Sequence, residues 1–404
     1  MSVASRAAPA LEDLEGGVCA TPGVQAAGIS AGLKASGKLD LALVATHASV
    51  PAAAVLTRNQ VTAAPVEVTR RNIADGRARA VLLNSGNANV CTGPDGVELA
   101  EQSAIAVAGE LGCKPSDILL CSTGVIGVPN PAQRLLDGIP KVVAQLSGQG
   151  GALAARAIMT TDNVPKEAAV RVSDEQGSCV IGGMAKGSGM IAPEMATMLC
   201  VVTTDAPVGP PVLKGLLRQA VARSFNRISV DDCMSTNDTV IAMATGTTDA
   251  APSLGALRLG MEYVCQRLAE ALIRDGEGAT KLVRVRVTGA LSEDEAVEVG
   301  RSIARSALFR TAIAGGDPNW GRVLAAMGAG RVTFDPARVS VSFGKVTVCR
   351  FGVAAAFDRG QAAATLAGSE VDVTVHLGMG EAEATFQTCD LTHAYITINA
   401  EYTT

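Results

Sequence analysis

The sequence predicts an α+β protein built in packed layers, and three observations lead there. Short strand-like runs follow one another directly in several places, for example Val24–Ile29 and then Leu41–His47. Amphipathic helical stretches such as 97–111 and 257–274 are interposed without a strict strand–helix–strand alternation. No internal repeat and no low-complexity linker interrupts the 404 residues, a length that leaves room for two or three domains with substantial cores. Neighbouring strands interspersed with helices favour layers of the α+β kind over a regular βαβ winding.

Taken in order, Val24–Ile29, Leu41–His47 and Ala53–Thr57 alternate or are β-branched and are predicted as separate strands. Arg79–Leu83 is another, and it delivers the polar turn Asn84-Ser-Gly-Asn-Ala-Asn89, whose side chains suit backbone scaffolding. Val97–Leu111 has helical spacing and stops at Gly112, a plausible C-terminal cap. Ile118–Cys121 is a buried strand leading into Ser122-Thr-Gly-Val-Ile-Gly127, and helices are predicted over 131–146 and 152–159. Strands over 168–172, 178–181 and 198–203, a helix over 211–225, a strand over 239–244 and a long helix over 257–274 complete the first part. From Leu282 the pattern is a strand to Val287, one helix over 293–312, and a turn at Asp317–Arg322 that opens a further helix. Strands are then predicted over 339–343, 346–351, 370–376, 382–389 and 394–401.

Composition narrows the function classes. Hydrophobic residues make up 48% and charged residues 18%, as in a soluble globular chain, and no apolar run reaches membrane-spanning length. The net charge of -5, scattered basic residues and an aromatic content of 3% give no footing for nucleic acid. The ten cysteines include no Cys-x-x-Cys pair, which fits buried thiols of an intracellular protein, and the N-terminus lacks a secretory pattern. A cytoplasmic location is therefore expected.

Only His47, His376 and His393 are present, each in a strand-like run, and no His-x-x-x-His pair exists. A zinc-hydrolase site or a histidine-dependent triad is thus disfavoured, and no metal site is expected. The paired acids Asp231 and Asp232 lack companion ligands and are expected in a solvated turn. The loop Asp275-Gly-Glu-Gly-Ala-Thr-Lys281 lacks the spacing of a phosphate-binding loop, so no nucleotide cofactor is expected. A strand ending in Ser-Thr-Gly at 122–124 can present a hydroxyl and a backbone N–H together, an arrangement suited to a developing oxyanion, although most such turns do nothing of the kind. The stretch Ile181–Asp205 packs glycines, Lys186 and Pro193 ahead of Ala196-Thr197 and a strand. On residue type alone Thr197 is a strand-start threonine, Lys186 a surface lysine and Glu277 a solvated loop acid.

Read together, these segments resemble the ornithine acetyltransferase family, also called glutamate N-acetyltransferases, over nearly the whole chain. The resemblance rests on Asn84–Asn89, Ser122–Gly127, Lys186-Gly-Ser-Gly-Met-Ile-Ala-Pro-Glu-Met-Ala-Thr-Met-Leu199, Ser235-Thr-Asn-Asp238, Asp275–Lys281 and Gly316-Asp-Pro-Asn-Trp-Gly-Arg322. It implies self-cleavage between Ala196 and Thr197, after which the N-terminal Thr197 carries the acetyl group. Such a threonine can use its own α-amine, with an unperturbed pKa of about 7.7–8.0, as the base, so no histidine is needed. By the same resemblance Thr123 and Gly124 form the oxyanion hole, and Thr160, Lys186, Thr197, Glu277, Asn399 and Thr404 bind substrate. Lys186 suits an α-carboxylate, and Glu277 suits the side-chain amine of ornithine or a proton transfer. The final residues 399–404 are implied to fold back into the site. Glu194, where asparagine, aspartate or a small residue is expected, and Leu56, a position often held by phenylalanine, depart from the pattern.

These readings imply a main layered α/β/β/α sandwich-type domain over 1–281 that contains the cleavage point, and a smaller C-terminal α+β domain over 282–404. The expected reaction is ping-pong transfer of acetyl from N-acetylornithine to glutamate, releasing ornithine, with no cofactor and with acetyl-CoA open as a second donor. The implied assembly is a heterotetramer of two α and two β fragments, without nucleic acid or membrane. Two rivals remain at this point: a self-cleaving amidase or aminopeptidase on the same scaffold, and an uncleaved binding or structural protein.

Overall fold

The computed structural model describes residues 8–192 and 198–401. The chain opens with β1 (Ala10–Leu14), β2 (Val24–Ile29) and β3 (Leu41–Leu56), followed by α1 (Ala64–Asn72), β4 (Arg77–Asn87), α2 (Gly93–Leu111) and β5 (Ile118–Val125). Helices α3 (Ala132–Ala144) and α4 (Gly151–Ala157) lead to β6 (Lys166–Asp174), β7 (Gly177–Lys186) and β8 (Leu199–Thr204). Then come α5 (Pro210–Ala222), the short β9 (Ile228–Ser229), β10 (Thr239–Ala244) and α6 (Leu254–Arg274).

Strand β3 organises this part. Its Leu41–Thr46 half pairs antiparallel with β2 and its Leu41–Ala45 stretch with β4, whereas Ala52–Leu56 pairs with β10. The register slips between Ala45 and Val50, and the ladder resumes at Val50 and Pro51, opposite Ala78 and Arg77. One strand therefore belongs to two facing layers of a single nine-stranded sheet, in the order β1-β6-β7-β8-β10-β3-β4-β5 with β2 beside β3.

The period-2 alternation of the strands explains the layering. Ala42, Val44, Val81, Leu83, Leu119 and Cys121 share an inner core with Met184, Leu199, Val201, Ile241 and Met243. Their sequence neighbours Leu41, Leu43, Ala80, Leu82, Ile118 and Leu120 face outward onto α2 and α3 through Leu99, Val107, Leu135 and Ile139. On the opposite outer face, Cys200, Val202, Val240 and Ala242 meet Leu213 and Leu217 of α5 and Met261, Val264 and Leu268 of α6. The order is helix, sheet, sheet, helix. Burying each such side chain is worth about 1.5–3 kcal/mol relative to leaving it exposed.

From Leu282 a second sheet begins, with β11 (Leu282–Ala290), α7 (Glu293–Ala304), α8 (Ala307–Ala314), α9 (Trp320–Gly328), β12 (Ser340–Phe343), β13 (Val346–Arg350) and β14 (Val353–Ala354). It ends with α10 (Arg359–Leu366), β15 (Glu370–His376), β16 (Ala382–Cys389) and α11 (His393–Glu401). Its order is β14-β13-β12-β15-β11-β16-β9, and its core collects Val283, Val285, Val371 and Val373 against Ile303, Phe309 and Met327. The edge strand β9 comes from the preceding part of the chain and pairs with Gln387 and Thr388, stitching the two sheets together.

Several sequence expectations need correction. The C-terminal run is the helix α11, not a strand, so His393 lies on a helix. The helix expected over 293–312 is two, broken at Arg305-Ser306, where the Ser306 hydroxyl accepts from Phe309 N and starts α8. The runs 41–47 and 53–57 are one strand. Elements β1, α1 and α10 were not foreseen; α1 is announced only by Pro65 in its first turn.

Candidate active site

Four backbone segments converge where β5, β7 and β8 end or begin. Strand β5 runs parallel to β4, with Thr123 opposite Ser85 and Gly124 opposite Gly86. Gly124 has φ +132, and a Cβ there would run into the Gly86 carbonyl carbon and the Asn87 nitrogen, so only glycine fits this close approach. Strand β7 delivers Lys186, paired with Leu199 at the start of β8. The loop after α6 contributes Glu277, whose N–H donates to Ser188 O at 2.8 Å. Gly278, at φ +69, leaves room for the backbone of α11 at Tyr395, which brings Tyr395 and Asn399 over the same place.

The result is a cleft whose lining includes Thr123, Gly124, Thr160, Lys186, Glu277 and Asn399. Every predicted site residue that falls among the described residues is therefore in one cleft. Ala196, Thr197 and Thr404, and with them Glu194, lie outside the described residues.

Lys186 is not a surface lysine; its side chain is 3% exposed. Its Nζ donates to Thr160 Oγ1 at 2.7 Å and to Thr123 Oγ1 at 3.4 Å, and lies 3.9 Å from Asp162. An ammonium has no acceptor, so both hydroxyl oxygens accept from it and each keeps its own O–H free to donate. For Thr123 that leaves a donor in the cleft wall. Burial lowers the Lys186 pKa, and Asp162 partly restores it. Glu277 Oε2 accepts from Asn399 Nδ2 at 2.9 Å, tying the acid to α11.

Beneath these groups lies a buried network that sequence reasoning missed. Asp162 accepts from Lys166 Nζ at 2.6 Å, Gly187 N at 2.7 Å and Thr160 N at 2.9 Å. Lys166 also meets Asp275 at 2.6 Å, and Asp275 in turn holds Asn163 through its N–H and side-chain amide, both at 2.9 Å. The network fixes the bases of Lys186 and of the Glu277 loop at once. Asn237 reaches Ala88 O at 2.7 Å and Ser122 O at 2.8 Å, which gives the 235–238 motif a structural role in seating β5. Ser122 is itself occupied by Ala88 O at 2.6 Å. Asn84 and Asn87 likewise bond backbone carbonyls, as expected of scaffolding.

The acid pair at 231–232 is not the solvated turn expected. Asp231 lines the cleft and accepts from Met190 N, Ile191 N and Cys233 N, while Asp232 pairs with Arg305 at 2.6 Å. Among the described residues no group of three or more His, Cys, Asp or Glu side chains could hold a metal ion. All three histidines are exposed, and none lines the cleft.

Burial pushes the Asp162 carboxyl up, but Lys186 and then Lys166 outweigh it and bring the group down to about 2. A folded-state pKa below the unfolded value near 3.9 adds stability that is complete above the unfolded value and is lost as pH falls through about 2. Wild-type protein is therefore expected to lose about 2 kcal/mol more than Asp162→Asn between pH 5 and pH 2. Urea unfolding midpoints at the two pH values measure this, and equal acid losses would refute it.

The ArgJ family model matches residues 25–404. The chain belongs to the ArgJ family. It is the family that the ordered motifs resemble. The arginine biosynthesis bifunctional protein ArgJ of Mycobacterium tuberculosis is 48% identical over 394 residues, covering 96% of each chain. That of Symbiobacterium thermophilum is 46% identical, covering 98% of this chain and 100% of the relative. A solved structure of ornithine acetyltransferase complexed with ornithine, from M. tuberculosis, is 45% identical over 47% of this chain and 100% of its own, with a TM-score of 0.43. Membership makes this ArgJ chain an enzyme of arginine biosynthesis, and the mixed α/β fold with two sheets is the frame that carries its cleft. No helix among the described residues is long and apolar enough to cross a membrane.

Proposed function

We propose that this ArgJ protein moves an acetyl group from N-acetylornithine to glutamate by a ping-pong route through Thr197, after self-cleavage of the Ala196–Thr197 bond. The observation that carries the reading is the convergence of Thr123, Gly124, Thr160, Lys186, Glu277 and Asn399 on one cleft, from segments scattered over nearly the whole sequence. Met198, joined directly to Thr197, is followed by Leu199, which begins β8 opposite Lys186.

In this reading the α-amine of Thr197 takes the hydroxyl proton as Oγ1 attacks the acetyl carbonyl. The oxyanion that forms is met by the free O–H of Thr123 and the N–H of Gly124. Losing one such donor typically costs about 100- to 1000-fold in rate. The tetrahedral intermediate collapses with release of ornithine, its amine protonated, and leaves acetyl on Thr197. Glutamate then attacks the acetyl-threonine and departs as N-acetylglutamate. The buried ammonium of Lys186 suits the α-carboxylate that both amino acids share. Glu277, held by Asn399, suits the ornithine side-chain amine. Thr404 is the remaining substrate contact of this reading. The relatives' description as bifunctional supports a second donor for glutamate, and acetyl-CoA is the one we propose. The two fragments are proposed to remain together, as a heterotetramer in the cytoplasm.

The test is to supply N-acetylornithine with and without glutamate. Ornithine release sustained only with glutamate, together with equal N-acetylglutamate, is the expected result. Acetate release independent of glutamate would mark a hydrolase on the same scaffold.

A further inference from the structure

One segment, Ser229–Thr239, grips the chain on both sides of residues 193–197. On the upstream side the Asp231 carboxylate accepts from Met190 N at 2.5 Å through Oδ2 and from Ile191 N at 2.8 Å through Oδ1. Val230 N and Ser229 Oγ donate back to Ile191 O at 2.9 Å and 3.3 Å. Met190 sits at φ +55, a conformation that a non-glycine residue keeps only when its surroundings impose it. On the downstream side Asp238 Oδ1 accepts from Met198 N at 3.0 Å, and Thr239 N donates to Met198 O at 3.1 Å.

Asp238 is wholly buried, and its second oxygen, Oδ2, has no hydrogen-bond partner. A buried acid with an idle oxygen is a costly way to hold one amide. Burial raises its pKa well above the usual carboxylate range, against the opposing pull of Met198 N, Lys186 and Ser235, and asparagine is close to it in shape.

Building on the self-cleavage reading above, we propose that Asp231 and Asp238 are positioning residues for that cleavage: two carboxyl groups of one segment that fix Ile191 and Met198 relative to each other. A hydroxyl can attack the carbonyl immediately before it only when the short link between them is held in a near-attack arrangement. Pinning both ends of a short segment removes most of its alternative conformations before the reaction begins. Neither carboxyl acts on the reacting atoms in this scheme. Asp231 already spends its oxygens on backbone amides, and Asp238 holds the peptide nitrogen that follows Thr197.

The two posts differ in a way that can be tested. Asp231 uses both oxygens as acceptors, so Asp231→Asn must turn an NH2 toward Met190 N or Ile191 N and loses one contact. Asp238 uses only Oδ1, so Asp238→Asn keeps its contact. The experiment follows full-length protein from synthesis on denaturing gels, alongside its thermal unfolding midpoint. Asp238→Asn is expected to split within about 3-fold of the wild-type rate, Asp231→Asn about 10-fold slower, and the alanine variants about 100-fold slower. The Asn pair decides the matter if the alanine variants fail to fold. Folded Asp231→Asn and Asp238→Ala proteins splitting at the wild-type rate would overturn the proposal. So would a slowing that merely tracks a lowered unfolding midpoint. A wild-type chain that never splits overturns both this proposal and the reading it builds on, whereas equal splitting of all variants overturns this one alone.

Discussion

Thr197→Ala is expected to give a single 41.0 kDa band that persists on long incubation, with acetyl transfer reduced by more than about 1000-fold. Both losses follow from one atom. The threonine hydroxyl is the proposed attacker of the Ala196 carbonyl during maturation and of the acetyl carbonyl during turnover, and alanine removes it from both. Within the cleft wall, Lys186 keeps its bonds to Thr160 and Thr123. Thr197→Ser restores a hydroxyl and should recover both activities in part. A Thr197→Ala chain that still splits at this bond, or still transfers acetyl at the wild-type rate, would overturn the nucleophile assignment.

The second large effect is on stability. Lys166 is 1% exposed at its side chain and bridges Asp162 and Asp275, each at 2.6 Å. Lys166→Met keeps the volume and removes the charge, leaving two buried carboxylates with no ammonium between them. Removing one partner of a buried ion pair costs about 3–5 kcal/mol, and the lower end applies here because Asp162 keeps Lys186 at 3.9 Å while Asp275 loses its ammonium. The urea unfolding midpoint should fall accordingly. Adding Asp275→Asn should recover part of the loss, since it relieves the repulsion that the first change creates. Transfer activity should fall as well, as Asp162 supports Lys186 and Asp275 begins the loop of Glu277. An unfolding midpoint unchanged in Lys166→Met would show that the two acids do not depend on it.

How far the sequence reveals this molecule depends on how local each determinant is. Strands 370–376 and 382–389 are legible because their alternation answers to the two faces of a layer, and a period of two survives without knowledge of neighbours; 239–244 reads instead as a short apolar run, buried at every position. Residues 394–401 alternate almost as well, yet they form α11. At the end of β16 both edges are taken, by β11 and, at Gln387 and Thr388, by β9, so a strand following directly has no ladder to join there. The break at Arg305-Ser306 is invisible to periodicity because the apolar spacing continues across it.

The site divides in the same way. Thr123, Gly124, Thr160, Lys186, Glu277 and Asn399 were found because their motifs resemble a family, and the fold then brings them together. Residue type alone would have left Lys186 on the surface. Asp162, Asp231 and Asp238 escaped because the burial of an acid depends on partners far along the chain. Lys166 and Asp275, for example, lie 109 residues apart and meet only in the folded protein. The one local sign of Asp238 was its place in the dense motif 235–238, which points to importance without naming a role.

The strand order β7-β8-β10-β3 has a consequence for a protein cut ahead of Thr197. Strands β8 and β10 would then belong to one piece while β7 and β3, which flank them, belong to the other. The pair would sit like a tongue in a groove, with every ladder bond along both outer sides crossing between pieces. Pulling the pieces apart would bare four strand edges and split the cores above and below the sheet in one event. Leaving such a joint amounts to unfolding, so the pieces part only as the fold is lost, and the unfolding midpoint of the cut protein depends on its concentration. A nicked molecule of this kind holds together for as long as its fold does.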